Sequence, residues 1–250
     1  LTPAGELYVE AARKVIQIQK DLYHNIRGLN HKGHITIGVT SQFGLRMLTE
    51  IIPAYKKVFP QVTIEITESN VPTLTRMILE EGIDCAVMAL NCADAFAEEQ
   101  VSLLRKEEVL FAVPAAHGYC LRNRTGIMTR EELIHEFKDE NFMLSKKGST
   151  LRELADRIFA SAGFQPSTMC ETNSIIATRA MVAKGIGVTF IARSCVSDRE
   201  NVAYYSLNPR MYRYNALVRR KNLIQNEPER ALFQHIRGYF ERQDEDGPAD

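Results

Sequence analysis

Three consecutive polar side chains, Thr40, Ser41 and Gln42, follow the alternating apolar residues Ile35, Ile37 and Val39 and precede an apolar run at helical spacing. Hydroxyls and amides both donate and accept hydrogen bonds, so this cluster suits a small polar ligand. In open α/β sheets ligands bind beyond the carboxyl ends of the strands. The unsatisfied N–H groups at the start of the next helix favour an anion there. Taken alone, the Thr and Ser read first as plain helix caps. Five cysteines, an odd number without a C-x-x-C pair, read as reduced thiols. Cys120 precedes Arg122 and Arg124, and Cys195 follows Arg193, the cationic setting a redox-active thiolate needs. Cys85 falls in an apolar run and reads as core, with Cys92 seven residues on. The six His show no metal-ligand spacing, so neither a metal nor another cofactor is expected. G-x-S-x-G, G-x-x-x-x-G-K-[ST], H-E-x-x-H and a G-x-G-x-x-G after a strand do not occur, which argues against an enzyme.

The elements that must position these groups are legible in outline. Leu1, Tyr8, Val15, Leu22 and Leu29, interleaved with Ala4, Ala11, Ile18 and Asn25, form an a/d seam, so residues 1–32 read as a linker or dimerisation helix. The alternative is a helix packed on its own domain. His34–Val39, a helix from Leu45 to Phe59, Val62–Glu68, a helix over Thr73–Glu81 and Asp84–Leu90 make β-α-β-α-β, with parallel strands. A second α/β unit, roughly Pro114 to Tyr214, follows, with a capping box at Thr129 and Glu132. Val202–Leu207 and Arg213–Arg219 read as two strands, Pro228–Glu241 as a closing helix and residues 243–250 as a disordered polar tail. The hydrophobic share of 45% and charged share of 25% are those of an ordinary globular protein. Lys+Arg and Asp+Glu both number 31, which argues against this chain being the main grip on nucleic acid. No apolar run is long enough to span a membrane and no signal peptide is visible, so a cytoplasmic location is expected. With no initiating Met, the chain reads as part of a longer protein.

In their order, several short motifs resemble the LysR-type transcriptional regulators. They are Leu1-Thr2-x-Ala4-Gly5, Ile37-Gly38, Ile52-Pro53, Phe59-Pro60, Val62-x-Ile64-x-Ile66-x-Glu68 and Gly82-Ile83-Asp84-Cys85-Ala86-Val87. Val113-Pro114, His117, Leu133, Gly163-Phe164-x-Pro166 and Val182-Ala183-x-Gly185-x-Gly187-Val188 continue the series, the last being the most specific. His117-Gly118 and Ala192 depart from the family, which often has Pro at the second position of the pair and after that strand. The resemblance implies two Rossmann-like subdomains joined by crossover strands, a periplasmic-binding-protein-like fold of type II, preceded by a long linker helix. Subdomain I would be residues 33–113 plus 215–242, and subdomain II residues 114–214. It also implies a small-molecule effector in the cleft, a homo-oligomer (dimer or tetramer) and contact with DNA through an N-terminal winged helix outside this chain, with no membrane partner.

By motif position the cleft is lined by Thr40, Ser41, Gln42, Phe43, Asn70, Val71 and Ala89 from subdomain I. Ser145, Lys146, Ser149, Asn173, Ser174, Phe190 and Ile191 come from subdomain II. Lys146 and Lys147 either draw an anion into the cleft or belong to a solvated loop. Phe43 and Phe190 either face an aromatic or acyl effector or are core. The effector is expected to be a small carboxylate-bearing metabolite. Competing readings are a solute-binding protein of the same fold and a cysteine-based redox-sensing regulator.

Overall fold

The computed structural model describes residues 1–28, 33–40, 42–92, 95–221, 223 and 225–245. Helix α1 (Pro3–Gly28) leads into β1 (His34–Val39), α2 (Gln42–Val58), β2 (Thr63–Glu68), α3 (Val71–Leu79) and β3 (Cys85–Leu90). β1 lies between β2 and β3 and runs parallel to both, as the β-α-β-α-β pattern predicts. α2 starts at Gln42, not at Leu45, because its buried face extends a turn upstream: Phe43 packs edge-on against Tyr239 and Phe240. At the other end Val58 turns to solvent while Phe59 is buried. The continuous apolar run of β3 reflects cover on both faces. Cys85 and Val87 pack with β1, α2 and the closing helix, whereas Ala86, Met88 and Leu90 pack with α3.

Two long antiparallel strands, β4 (Val101–Pro114) and β9 (Val202–Arg219), tie the halves of the molecule together. Their ladder pairs Val101↔Val218 through Val109↔Met211, then Leu110↔Ser206 through Pro114↔Val202. Leu207–Arg210 lie outside the ladder at that shift, so the two strands expected over Val202–Leu207 and Arg213–Arg219 are one interrupted strand. The polar break in the sequence is real, but β4 continues opposite it and keeps both segments in one sheet. The strand order is β2-β1-β3-β9-β4-β8, with β5 beside β9.

The second unit holds α4 (Gly118–Arg122), β5 (Ile127–Thr129), α5 (Arg130–Phe137), β6 (Asn141–Leu144), α6 (Thr150–Ala162), β7 (Ser167–Glu171), α7 (Ile175–Ala183) and β8 (Thr189–Ala192). Thr129 Oγ1 accepts from the Glu132 N–H at 3.1 Å and the Thr129 N–H donates to Glu132 Oε2 at 2.7 Å, the capping box that starts α5. Gly185, at φ 73°, takes the left-handed conformation just after α7. Gly187 is required for a different reason: a Cβ there would lie 2.2 Å from the Asn141 carbonyl oxygen. Those two constraints explain the Gly-x-Gly spacing. Each unit has its own apolar interior, one around Ile37, Tyr55 and Phe240, the other around Phe111, Phe137 and Phe142. The molecule is thus two α/β subdomains joined by crossover strands.

The chain closes with α8 (Glu227–Glu245), packed on α2. It corrects the tail reading, because residues 243–245 are helical; 246–250 lie outside the described residues. The seam residues Leu1, just before α1, and Tyr8, Val15, Ile18 and Leu22 on it are all exposed. Leu29 and the Asn25 side chain lie outside the described residues. No described helix is long and apolar enough to cross a membrane.

Candidate functional site

Parallel strands put the loops after β1, β2 and β3 on one edge of the first subdomain, facing α6 and α7 of the second. Between them lies a cleft of about 510 Å³, part of it open to solvent, lined by Thr40, Asn70, Val71 and Ala89 on one side. Ser145, Ser149, Thr150, Leu151, Asn173 and Ile175 form the other side, and Cys195 and Arg213 complete the wall. The polar lining is locked by its own bonds. Thr40 Oγ1 accepts from the Ala89 N–H at 3.1 Å, and Asn173 Oδ1 accepts from the Lys146 N–H at 3.0 Å. Asn70 caps α3 by accepting from the Thr73 N–H at 2.9 Å, and Ser149 caps α6 by accepting from the Arg152 N–H at 3.2 Å. Val71, Thr150 and Ile175 are the first residues of α3, α6 and α7, so three helix N-termini meet at the cleft. Their partial positive charges favour an anion.

The two subdomains also touch beside the cleft. Asn91 Nδ2 donates to Glu153 Oε2 at 2.7 Å and to the Thr150 carbonyl at 3.3 Å. A Cβ on Gly148 would sit 3.3 Å from Pro72 Cγ, a measure of how closely that loop approaches α3.

At the crossover strands, buried Arg213 donates from Nε to Glu107 Oε2 at 2.9 Å. Glu107 accepts further bonds from Asn215 Nδ2 at 3.1 Å and the Ser194 N–H at 2.9 Å. Burial works to raise the Glu107 carboxyl, but Arg213, Ser194 and Asn215 outweigh it and hold the group below the usual carboxylate range. Its neighbour Glu108 pairs on the opposite side of the strand with Arg193. The guanidinium expected to activate Cys195 is therefore occupied elsewhere. Arg213 does act on Cys195, yet burial dominates and pushes that thiol up. Burial raises Cys85 further. Near Cys120, Arg122 pairs with Glu136 at 2.7 Å and the thiol donates to the Pro114 carbonyl at 3.4 Å. All five cysteines are free thiols. Among the described residues no group of His, Cys, Asp and Glu could hold a metal ion.

Of the residues named from sequence, Thr40, Asn70, Val71, Ala89, Ser145, Ser149 and Asn173 meet at the cleft. Three belong elsewhere. Phe43 is in the core of the first subdomain, Phe190 packs among Phe111, Phe142 and Phe159, and Ile191 packs beneath α7 with Leu110 and Val182. The physical reason is burial of large apolar groups, which the interior of each subdomain satisfies more fully than a wet cleft. Ser174 caps α7 by accepting from the Ala177 N–H at 3.3 Å, and the Lys146 side chain is exposed and outside the cleft wall. Gln42 is the first residue of α2, its side chain not described, and Ser41 lies outside the described residues. Sequence reasoning missed Thr150, Leu151, Ile175, Cys195 and Arg213. The first three follow from their positions just inside helix starts. Arg213 carries one signal, a charged residue shortly before the apolar run Ala216–Val218, but its partner Glu107 is 106 residues away.

Residues 30–241 match the family model described as LysR substrate binding domain. The chain is 24% identical over 202 residues to a probable RuBisCO transcriptional regulator of Trieres chinensis, a match covering 78% of this chain and 64% of that protein. The chain thus spans just under two thirds of that relative's length. It shares its fold with the reduced form of OxyR, at a TM-score of 0.64 and 22% identity, covering 88% of this chain and 99% of the other. The effector binding domain of QuiR, solved with shikimate, gives a TM-score of 0.66 at 19% identity over 84% of this chain and 98% of that one. On the matched residues and on two α/β subdomains around a cleft, the chain belongs to the LysR substrate-binding-domain family, the effector-binding part of LysR-type transcriptional regulators.

Proposed function

We propose that this chain senses a small anionic metabolite, bound in the cleft between its subdomains, for a cytoplasmic DNA-binding transcription regulator. The observation that carries the reading is the convergence of three helix N-termini and a set of hydroxyl and amide side chains on one cavity walled by both subdomains. A ligand touching both walls favours whichever hinge state it binds more tightly, and only by that difference. Residues 33–113 with 215–242 and residues 114–214 are the two bodies that move, hinged on β4 and β9. Residues 1–32 carry the change to a second copy of the chain, in a dimer or tetramer, and onward to a winged helix on DNA. The exposed apolar seam of α1 supports that assignment. The role is binding, not catalysis. The presence of shikimate in QuiR supports a small acid as the class of effector.

The test is a thermal-shift and calorimetric screen of the chain against small carboxylic acids, shikimate and benzoate included, with neutral analogues beside them. A saturating acid should raise stability by about 2.7 kcal/mol at a hundred times its dissociation constant. Saturable binding of neutral compounds alone would overturn the anionic reading, and no saturable binding at all would overturn the site.

A further inference from the structure

Among the described residues that line the cleft, Arg213 is the one with a charged side chain. It is 4% exposed, on a crossover strand, and Glu107, 1% exposed, is its partner on the other crossover strand. The contact is made through Nε alone. A guanidinium carries five N–H donors in a rigid fork, so this attachment leaves the Nη edge for another acceptor. Glu107 is itself held by Ser194 and Asn215, which fix where it presents its oxygens. The result is a guanidinium clamped from behind and incorporated into the cavity wall. The rest of the wall divides into hydroxyls and amides (Thr40, Asn70, Ser145, Ser149, Asn173) and an apolar part at Val71, Ala89, Leu151 and Ile175.

We propose that Arg213 selects the effector, binding the carboxylate of a small hydroxylated or aromatic monocarboxylic acid on its Nη edge while Glu107 acts as a positioning residue on the Nε edge. The inference rests on the effector-binding reading and names the ligand class within it. Carboxylate is favoured because a planar fork meets a planar two-oxygen acceptor with two parallel hydrogen bonds. One negative charge is favoured over two because Glu107 already contributes a carboxylate beside the same guanidinium, and a dianion is repelled by it more strongly. The helix N-termini of α3, α6 and α7 offset the single added charge.

The probes are shikimate, benzoate, salicylate and lactate, each paired with its primary amide, titrated calorimetrically into the wild-type chain and variants whose fold is checked by circular dichroism. Binding of an acid is expected to exceed that of its amide by about 30-fold. Arg213→Lys keeps the charge but loses the fork and should weaken the acid by about 10-fold. Arg213→Met leaves Glu107 buried without its cation, so the informative variant is Glu107→Gln/Arg213→Met, which removes both charges together. It should weaken the acid by about 30-fold and its amide far less, so that most of the preference for acid over amide is lost. Glu107→Gln alone removes the competing carboxylate and should tighten the acid by about 3-fold, an effect a purely structural role does not produce. If the double variant binds an acid as the wild type does, the assignment to Arg213 falls while the cleft stands as the site. If amides bind as well as acids, selection by the guanidinium is wrong; if Glu107→Gln weakens binding as much as the double variant, the opposing charge of Glu107, and with it the preference for a single negative charge, is wrong. If no probe binds saturably, the effector reading fails and takes this inference with it.

Discussion

Glu107 shows how a single buried charge is made tolerable. Its side chain is fully enclosed, and three donors together overcome a desolvation penalty that acts to protonate it. The linkage runs in one direction. A carboxyl whose folded pKa is depressed adds stability that is complete above its unfolded value, near 4.5 for this group, and that is lost as pH falls through the lower folded value. The melting temperatures of wild type and Glu107→Gln should therefore differ most at neutral pH, and the gap should shrink as pH falls below about 4.5; a gap independent of pH would exclude this account. The thiols make a second residue-scale prediction. Cys92 is exposed, whereas Cys85 is buried and Cys195 is held high by burial. Under native conditions at neutral pH a thiol reagent should modify Cys92 first and Cys85 and Cys195 last, as read by mass spectrometry. Fast reaction at Cys195 would restore the redox reading.

At the scale of elements, the Gly-x-Gly segment after α7 carries a steric demand that no propensity scale contains. Gly187→Ala pushes a methyl into the Asn141 carbonyl, where β6 and β8 approach each other, and should cost about 3 kcal/mol or more in chemical denaturation. Thr129→Ala, which removes one half of the α5 capping box, should cost only about 1 kcal/mol. The contrast separates a backbone clash from a lost hydrogen bond. Asn91 is a different case, since its bonds to Glu153 and Thr150 join one subdomain to the other without entering either core. Asn91→Ala should leave the melting temperature of the free chain nearly unchanged and raise the effector's dissociation rate about 5-fold, measured by stopped flow.

For the whole molecule, α1 matters through the apolar side chains it leaves exposed. Its apolar residues Leu7, Tyr8, Val15, Ile18 and Leu22 are all exposed, the stripe through which the proposed oligomer would form. Deleting residues 1–28 should lower the order of the proposed oligomer in sedimentation while changing the melting temperature of the two-subdomain body by no more than about 2 °C. An unchanged oligomer would move the self-association surface onto the subdomains.

The order of elements was legible because it depends on local rules. The β-α-β-α-β pattern followed from alternation and helical spacing, the start of α5 from Thr129 and Glu132, and the end of α7 from Gly185. Half of the cleft was legible for the same reason: Thr40, Asn70, Ala89 and Ser149 sit at strand ends or helix starts, and parallel topology sends those positions to one edge. The tertiary structure alone decided the rest. It made one strand of Val202–Arg219, because a continuous β4 spans the break, and it drew Phe43 and Phe190 into cores that no local pattern distinguishes from a cleft wall. It also brought Arg213 to Glu107 across 106 residues of sequence. A charge's partner and a phenylalanine's neighbours are set by packing at long sequence separation, and a period of two or of 3.6 residues does not carry that information.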